Sequence, residues 1–220
     1  MKLAEQLMAD IEKFWTDVKT NHPFYTGILG ENIEARIISS FIANTDFIVN
    51  LTPVHLSLAK NVSLEYGEKD LADFFLSKIK EESGQNHWAH GELIGFRNDG
   101  RQTAEVPPLE TILSIARYNE NLIKKNPYLY MAHILFTEYF TDIASSQYFS
   151  RRKNISDKNL VHQHTGLDKK NINEFKAMFS NLPSEKIGSP EKYRTTLQDV
   201  FGLYKNFWTE ILDNQERAVA

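Results

Sequence analysis

The sequence predicts an all-α protein that forms one compact domain. Apolar side chains recur at steps of three and four residues along most of the chain, which is the spacing of one helix face. No segment has the alternating, β-branched pattern of a strand. With 220 residues, of which 41% are apolar and 12% aromatic, the chain can bury a sizeable core. We therefore expect a single bundle of about seven or eight helices over residues 1–220.

Proline and glycine mark where most of the predicted helices begin and end. The first helix follows the apolar positions from 3 to 18 and ends before Pro23, because a residue that precedes proline is pushed out of the helical conformation. A second helix runs from Gly30 to Pro53. Asn126-Pro127 starts a long apolar helix, since proline is favoured at the first helical position. The other predicted helices cover residues 55–64, 71–93, 109–122, 160–179 and 200–212, with loops at 95–108 and 183–190.

The composition argues against several classes of function. The net charge is −4, and the 25 basic and 29 acidic residues are interspersed, so no basic stripe is available to bind a nucleic acid. The uninterrupted apolar runs are too short for a membrane span, and the N-terminal segment is amphipathic rather than a signal peptide. Cysteine is absent, which excludes a catalytic thiol and thiolate metal sites and fits a cytoplasmic protein.

Carboxylates and histidines in three segments are the candidate functional residues. The first segment contains Glu82, Gln85, His87 and His90, and in a helix Glu82 and Gln85 would share one face, as would the two histidines. Helical bundles build carboxylate-bridged metal sites from Glu-x-x-His pairs of this spacing. Here an amide, which is a poor ligand for iron, stands at the histidine position. The alternative is that Glu82 is solvated and that both histidines lie on the surface.

The second and third segments follow later in the chain. Glu138 lies in an otherwise apolar helix, where a carboxylate is costly to bury unless it is paired or bound to a metal. Alternatively, Glu138 lies on a solvent-exposed stripe with Asp142. In the third segment, one continuous helix would place His164, Asp168 and Asn171 on a single face, whereas Asp168 could instead cap a helix N-terminus.

The remaining histidines and aromatic side chains are expected to be structural. The histidines without a partner nearby in sequence are His22, His55 and His133. The aromatic residues expected in the core include Tyr139, Tyr148, Tyr204 and Phe207.

Taken in order, the three segments resemble the heme-oxygenase-like helical superfamily. The branch they resemble most contains the non-haem di-iron oxidases, pyrroloquinoline-quinone synthase and the TenA-type thiaminases. The likeness extends from about His22-Pro23-Phe24 to the last helix. The matching positions of this sequence are Glu81-Glu82-Ser83-Gly84-Gln85, Trp88, Glu92-Leu93, Gly95, Leu135-Phe136-Thr137-Glu138, His164, Asp168 and Asn171.

The resemblance implies a metal site at six of these positions. Glu82, Glu138, His164 and Asp168 match its ligands, whereas Gln85 and Asn171 replace histidines by amides, so that each ion of a di-iron centre would lose one imidazole. Three outcomes remain open. One metal ion, with iron as the implied cofactor, binds the remaining groups, with His87 or His90 as substitute ligands; the cavity oxidises its substrate without a cofactor; or the chain keeps a ligand pocket and has lost catalysis.

Two other branches are disfavoured by the residues themselves. TenA-type thiaminases use a cysteine nucleophile, which this chain lacks. Haem oxygenases place a glycine-rich helix over haem, and residues 128–149 contain no glycine, so we expect no haem.

We therefore expect an oxidoreductase-like protein of the heme-oxygenase-like fold that oxidises a small organic molecule with O₂ in an interior pocket. The alternative is a non-catalytic member of the fold that binds a small molecule or a protein partner. A purely structural bundle predicts that Glu138 faces solvent. We also expect a cytoplasmic homodimer that binds neither nucleic acid nor a membrane.

Overall fold

The structure of the protein, a computed structural model, describes residues 2–30, 32–82, 108–151, 172–180 and 188–217. Within these ranges the chain forms eight α-helices and no strand, which confirms the all-α prediction. The helices are α1 (Leu3–Asn21), α2 (Pro23–Leu29), α3 (Ala35–Glu65), α4 (69–82), α5 (Glu110–Lys125), α6 (Pro127–Arg151), α7 (172–180) and α8 (Pro190–Arg217).

The break between α1 and α2 follows the proline signal. The chain leaves the helical conformation at His22, and Pro23 then occupies the first turn of α2. Nδ1 of His22 accepts a hydrogen bond from the Phe24 N–H (3.3 Å), so this histidine caps α2. The sequence predicted the end of α1 but not the seven-residue helix that follows it.

The prediction that a helix ends at Pro53 was wrong, because α3 continues through this residue to Glu65. A proline inside a helix removes one backbone hydrogen bond and costs about 3 kcal/mol. One turn further on, Leu56 and Ala59 are buried, and burial of this kind opposes that cost. The helix ends where Gly67 adopts a positive φ of 72°, as the glycine signal predicted.

Among the described helices, α3 is the one that is long and apolar enough to cross a membrane, by length and composition alone. A single helix of this kind is weak evidence for a membrane protein. Only 11% of the most apolar stretch of α3 is buried in the structure. In this stretch Asn44 accepts a hydrogen bond from the Leu109 N–H (2.9 Å), which joins α3 to the start of α5. The absence of membrane binding stays a prediction.

The chain divides into two compact units, and its three boundaries fall between α2 and α3, within α6 and within α8. Unit 1 comprises Met1–Asn32 and Met131–Phe201. Its core is aromatic: Phe14 stacks on Phe201 with ring centroids 4.1 Å apart and meets Phe136 edge-on at 5.9 Å. The prediction of a single domain stays a prediction.

Unit 2 comprises Ile33–Tyr130 and Gly202–Ala220. The N-terminus of α5 is capped from α8, since Oε2 of Glu210 accepts hydrogen bonds from the N–H (3.0 Å) and the hydroxyl of Thr111. The buried face of α4 carries Leu71 and Phe75, and Phe75 contacts Tyr130 at the start of α6, with ring centroids 6.2 Å apart. This face positions the candidate site.

Candidate functional site

Two of the eight residues predicted for the site lie in the part of the chain that the structure describes. These are Glu82 on α4, in unit 2, and Glu138 on α6, in unit 1. The other six lie outside the described residues: Gln85, His87, His90, His164, Asp168 and Asn171. The predicted six-position metal site therefore stays a prediction.

Glu82 is half-buried on the face of α4 that points into unit 2. Burial raises the pKa of its carboxyl above the usual value, the nearby ammonium of Lys78 opposes this rise, and the charge of Glu81 adds to it. No hydrogen bond or ion pair to Glu82 occurs among the described residues. The alternative prediction of a freely solvated Glu82 does not fit this environment.

Lys78 is a charged residue of the site that the sequence prediction missed. It is 1% exposed, its Nζ lies 3.0 Å from Oε2 of Glu81, and the same Nζ lies 5.9 Å from the centre of the Phe74 ring. A lysine is rarely buried to this extent unless it is paired. Its position was visible in the spacing, because residues 71, 75, 78 and 82 are separated by steps of four, three and four and share one helix face.

Two tyrosines bring phenol groups to the same region of unit 2. Tyr130 is buried, and its pKa is raised by burial, then by Tyr204 and by Glu82, which places both of these groups within electrostatic range of Tyr130. Burial also raises the pKa of Tyr204. Both phenols therefore stay protonated at neutral pH and can donate hydrogen bonds. Tyr204 was expected to be a core residue only.

His55, on α3, is a further polar side chain of this region. Its ring meets that of Tyr130 edge-on at a centroid distance of 6.3 Å, and the side chain is buried. Burial lowers the pKa of the imidazole, and the charge of Glu120 opposes this shift only in part. The imidazole is therefore neutral at physiological pH. We refer to Glu82, Lys78, Tyr130, Tyr204 and His55 as the Glu82 cluster.

Glu138 is half-buried, and its Oε2 is buried. The purely structural bundle predicted that this carboxylate faces solvent, and the burial of Oε2 does not fit that prediction. Within the described residues, no three histidine, aspartate or glutamate side chains lie close enough together to hold a metal ion. The described part of the chain thus contains a mixed polar cluster around Glu82 rather than an acidic metal cage.

The helices define a heme oxygenase-like fold, as the comparison with solved structures shows. The crystal structure of a domain of unknown function with this fold, from Shewanella denitrificans, matches 96% of this chain and 93% of its own length, with a TM-score of 0.75 and 14% sequence identity. At this level of identity the likeness establishes the fold alone. No family model and no curated protein matches the sequence.

Proposed function

We propose that the chain is an oxidoreductase-like protein that holds a small organic molecule at the Glu82 cluster and oxidises it with O₂. The observation that carries this proposal is the half-buried Glu82 carboxyl, which has no described hydrogen-bond or ion-pair partner. Burying an ionisable group without a partner costs stability, and such groups concentrate at functional sites. The heme oxygenase-like fold is compatible with this function and does not by itself imply it.

The cluster offers suitable groups for binding. Burial raises the pKa of Tyr130 and of Tyr204, so both phenols stay protonated at neutral pH and keep the region uncharged on their side. Phe75 supplies an apolar surface beside them, which helps to exclude water from reactive species. In the proposed reaction the substrate loses two electrons and two protons, and O₂ is reduced to H₂O₂.

The donor set does not fit the di-iron centre that the family resemblance implies. Gln85 and Asn171 are amides at two of the six ligand positions. An amide is a weaker ligand for iron than an imidazole, so each ion of such a centre would lose one strong ligand. We therefore assign no step of the reaction to a di-iron centre.

A single iron ion is the second candidate for the oxidation chemistry. It is favoured by the family resemblance, which matches Glu82, Glu138, His164 and Asp168 to metal-ligand positions. Glu82, Glu138, His164 and Asp168 are the residues that would supply ligands, and the ion would supply the means of reducing O₂. The non-catalytic alternative is favoured by the two amides, and in that case the Glu82 cluster binds a molecule without oxidising it.

The partners and location are proposals as well. We propose a cytoplasmic homodimer that binds no nucleic acid and no membrane, which is supported by the mixed charge distribution and the absence of cysteine. Light scattering of the purified protein tests the oligomeric state, and flotation with lipid vesicles tests whether α3 associates with a membrane.

Oxygen uptake tests the proposed function without knowledge of the substrate. The purified protein is mixed with the low-molecular-mass fraction of a cell extract, and O₂ consumption is recorded with and without EDTA. We expect uptake that requires Glu82 and persists in EDTA. If O₂ uptake is lost in EDTA, the single-iron candidate is supported. If a small molecule from the extract binds without O₂ uptake, the non-catalytic candidate is supported.

A further inference from the structure

One face of α3 is apolar and partly exposed. Asp46 is the only aspartate, glutamate, lysine or arginine between Arg36 and Lys60, and only 11% of the most apolar stretch of the helix is buried. The opposite face carries Asn44, which is 2% exposed and binds the start of α5. An exposed apolar face of this length on a helix is typical of a surface that another molecule covers.

Five residues of the exposed face are arranged symmetrically about Pro53, through which the helix is continuous. Steps of four, seven, seven and four residues separate them and keep them on one side of the helix: Ile42, Asp46, Pro53, Lys60 and Leu64. Leu64 is 54% exposed, and the other four are half-buried. We refer to these five residues as the Pro53 face. It has an apolar residue at each end and one charge of each sign inside them.

The two charges of the Pro53 face have no partner in the described part of the chain. Neither the Asp46 nor the Lys60 side chain forms a hydrogen bond or an ion pair with another described residue. They cannot neutralise each other within one chain, because the intervening helix holds them about 21 Å apart along its axis. In an antiparallel pair of such helices, residues at equal distances on either side of Pro53 face each other. A second copy would therefore bring each charge opposite the other.

We propose that a second copy of this chain packs antiparallel on the Pro53 face, so that Asp46 of each copy pairs with Lys60 of the other. The two-fold axis then passes beside Pro53, and Ile42 of one copy contacts Leu64 of the other. In such an isologous interface both copies use the same surface. This inference rests on the homodimer proposed above, because it identifies the surface through which that dimer forms.

A lipid surface fits the Pro53 face less well. A helix that lies in a membrane surface exposes a polar side rich in lysine and arginine to water, whereas the other side of α3 binds the start of α5 through Asn44. Lipid would also surround the carboxylate of Asp46 with hydrocarbon, which is costly. A second copy instead supplies the lysine that neutralises this carboxylate.

The first test reverses the charges and follows the dimer by light scattering over a dilution series of the full-length protein. Asp46→Lys and Lys60→Asp should each weaken dimerisation about 10- to 100-fold, because two attractions become two repulsions. The double variant Asp46→Lys/Lys60→Asp exchanges the two charges, so it should recover most of the loss. Asp73→Lys, which reverses an exposed charge on α4, should leave dimerisation unchanged.

The second test places a cysteine at the two-fold axis of a chain that otherwise contains none. Packed helices have axes about 8–10 Å apart, which brings facing residues into disulfide range. With oxidised glutathione as the oxidant, Pro53→Cys should therefore form a covalent dimer. Asn61→Cys, at an exposed position of the same helix, should not, because in the proposed dimer this residue lies about 24 Å from its counterpart along the helix axis.

Three results would overturn the inference. If the protein is a dimer that neither charge reversal weakens, or if Pro53→Cys cross-links no faster than Asn61→Cys, the homodimer stands and its proposed interface is wrong. If the wild-type protein is monomeric at its highest soluble concentration, the homodimer and the interface are both wrong. Flotation of that monomer with lipid vesicles would then assign the Pro53 face to a lipid surface. O₂ uptake that requires Glu82 tests the oxidation separately, since Glu82 is not part of this face.

Discussion

Nζ of Lys78 lies 3.0 Å from Oε2 of Glu81 on the buried side of α4, and this pair leaves the adjacent Glu82 as the carboxylate without a described partner. The pair accounts for a lysine inside unit 2, because an unpaired ammonium there would be costly. It also distinguishes the two consecutive glutamates. Glu81 forms an ion pair with Lys78, whereas the charge of Lys78 acts on Glu82 by opposing the rise in the pKa of its carboxyl.

Lys78→Met should lower the free energy of unfolding by about 1–3 kcal/mol, because it leaves the carboxylate of Glu81 without its cation in a mostly buried position. The additional change Glu81→Gln should restore most of the loss. Chemical denaturation of the single and double variants measures this. Lys80→Met, an exposed lysine on the same helix, is the control. An equal effect of Lys78→Met and Lys80→Met would contradict the importance of the pair.

Glu82→Gln should stabilise the protein at neutral pH. Burial raises the pKa of Glu82 in the folded state, so the ionised form is penalised by folding. The penalty is fully present above the folded-state pKa, and it disappears as the pH falls below the ordinary pKa of glutamate. The gain in melting temperature should therefore be present near neutral pH and absent in acid. A gain that does not depend on pH would show that ionisation of Glu82 is not its cause.

His55 should make the folded state sensitive to mild acid. Burial lowers the pKa of His55 in the folded state, so the unfolded chain binds a proton first as the pH falls. The stability that the neutral form of His55 contributes is fully present above the ordinary histidine pKa. It is lost as the pH falls towards the pKa of the folded state, and the free energy of unfolding then decreases by up to about 1.4 kcal/mol per pH unit. In denaturation curves over this range, His55→Leu should reduce the slope. An unchanged slope would assign the acid sensitivity to other groups.

Glu210 should contribute to stability by capping α5. Its carboxylate accepts two hydrogen bonds from Thr111, at a helix N-terminus where negative charge is favourable. Glu210→Ala should cost about 1 kcal/mol, which is typical of a lost cap. Asp213→Ala, an exposed carboxylate on the same helix, is the control in the same thermal melts. If both variants melt at the same temperature, the cap contributes nothing measurable.

Helix boundaries were predictable from sequence where local chemistry decides them. Pro23 and Pro127 mark helix starts because proline fixes its own φ and lacks an N–H, and Gly67 marks an end because it adopts a positive φ. Pro53 shows the limit of this reasoning. There the packing of the flanking turns outweighs a local cost, and packing is not contained in the signal of a single residue.

The candidate site was predictable in part for a similar reason. Glu82 was singled out because its spacing to Gln85 matches the Glu-x-x-His pairs with which helical bundles bind metals. Lys78 shares that spacing but looks like an ordinary surface lysine until its helix face is known to be buried. Tyr130 and Tyr204 are distant in sequence, and an aromatic residue on an apolar face has the same pattern in any core. Only tertiary structure shows that Tyr130 lies within electrostatic range of both Tyr204 and Glu82.

The most direct test of the account is O₂ uptake by the purified protein with the low-molecular-mass fraction of a cell extract. We predict that the wild-type protein and the control Asp73→Asn, which changes an exposed carboxylate on the same helix as Glu82, consume O₂ above the rate of the extract alone and form H₂O₂. A folded Glu82→Gln variant should show little of this activity. Equal uptake by the wild-type protein and Glu82→Gln, or no uptake by either, would contradict the assignment of an O₂-using oxidation to the Glu82 cluster.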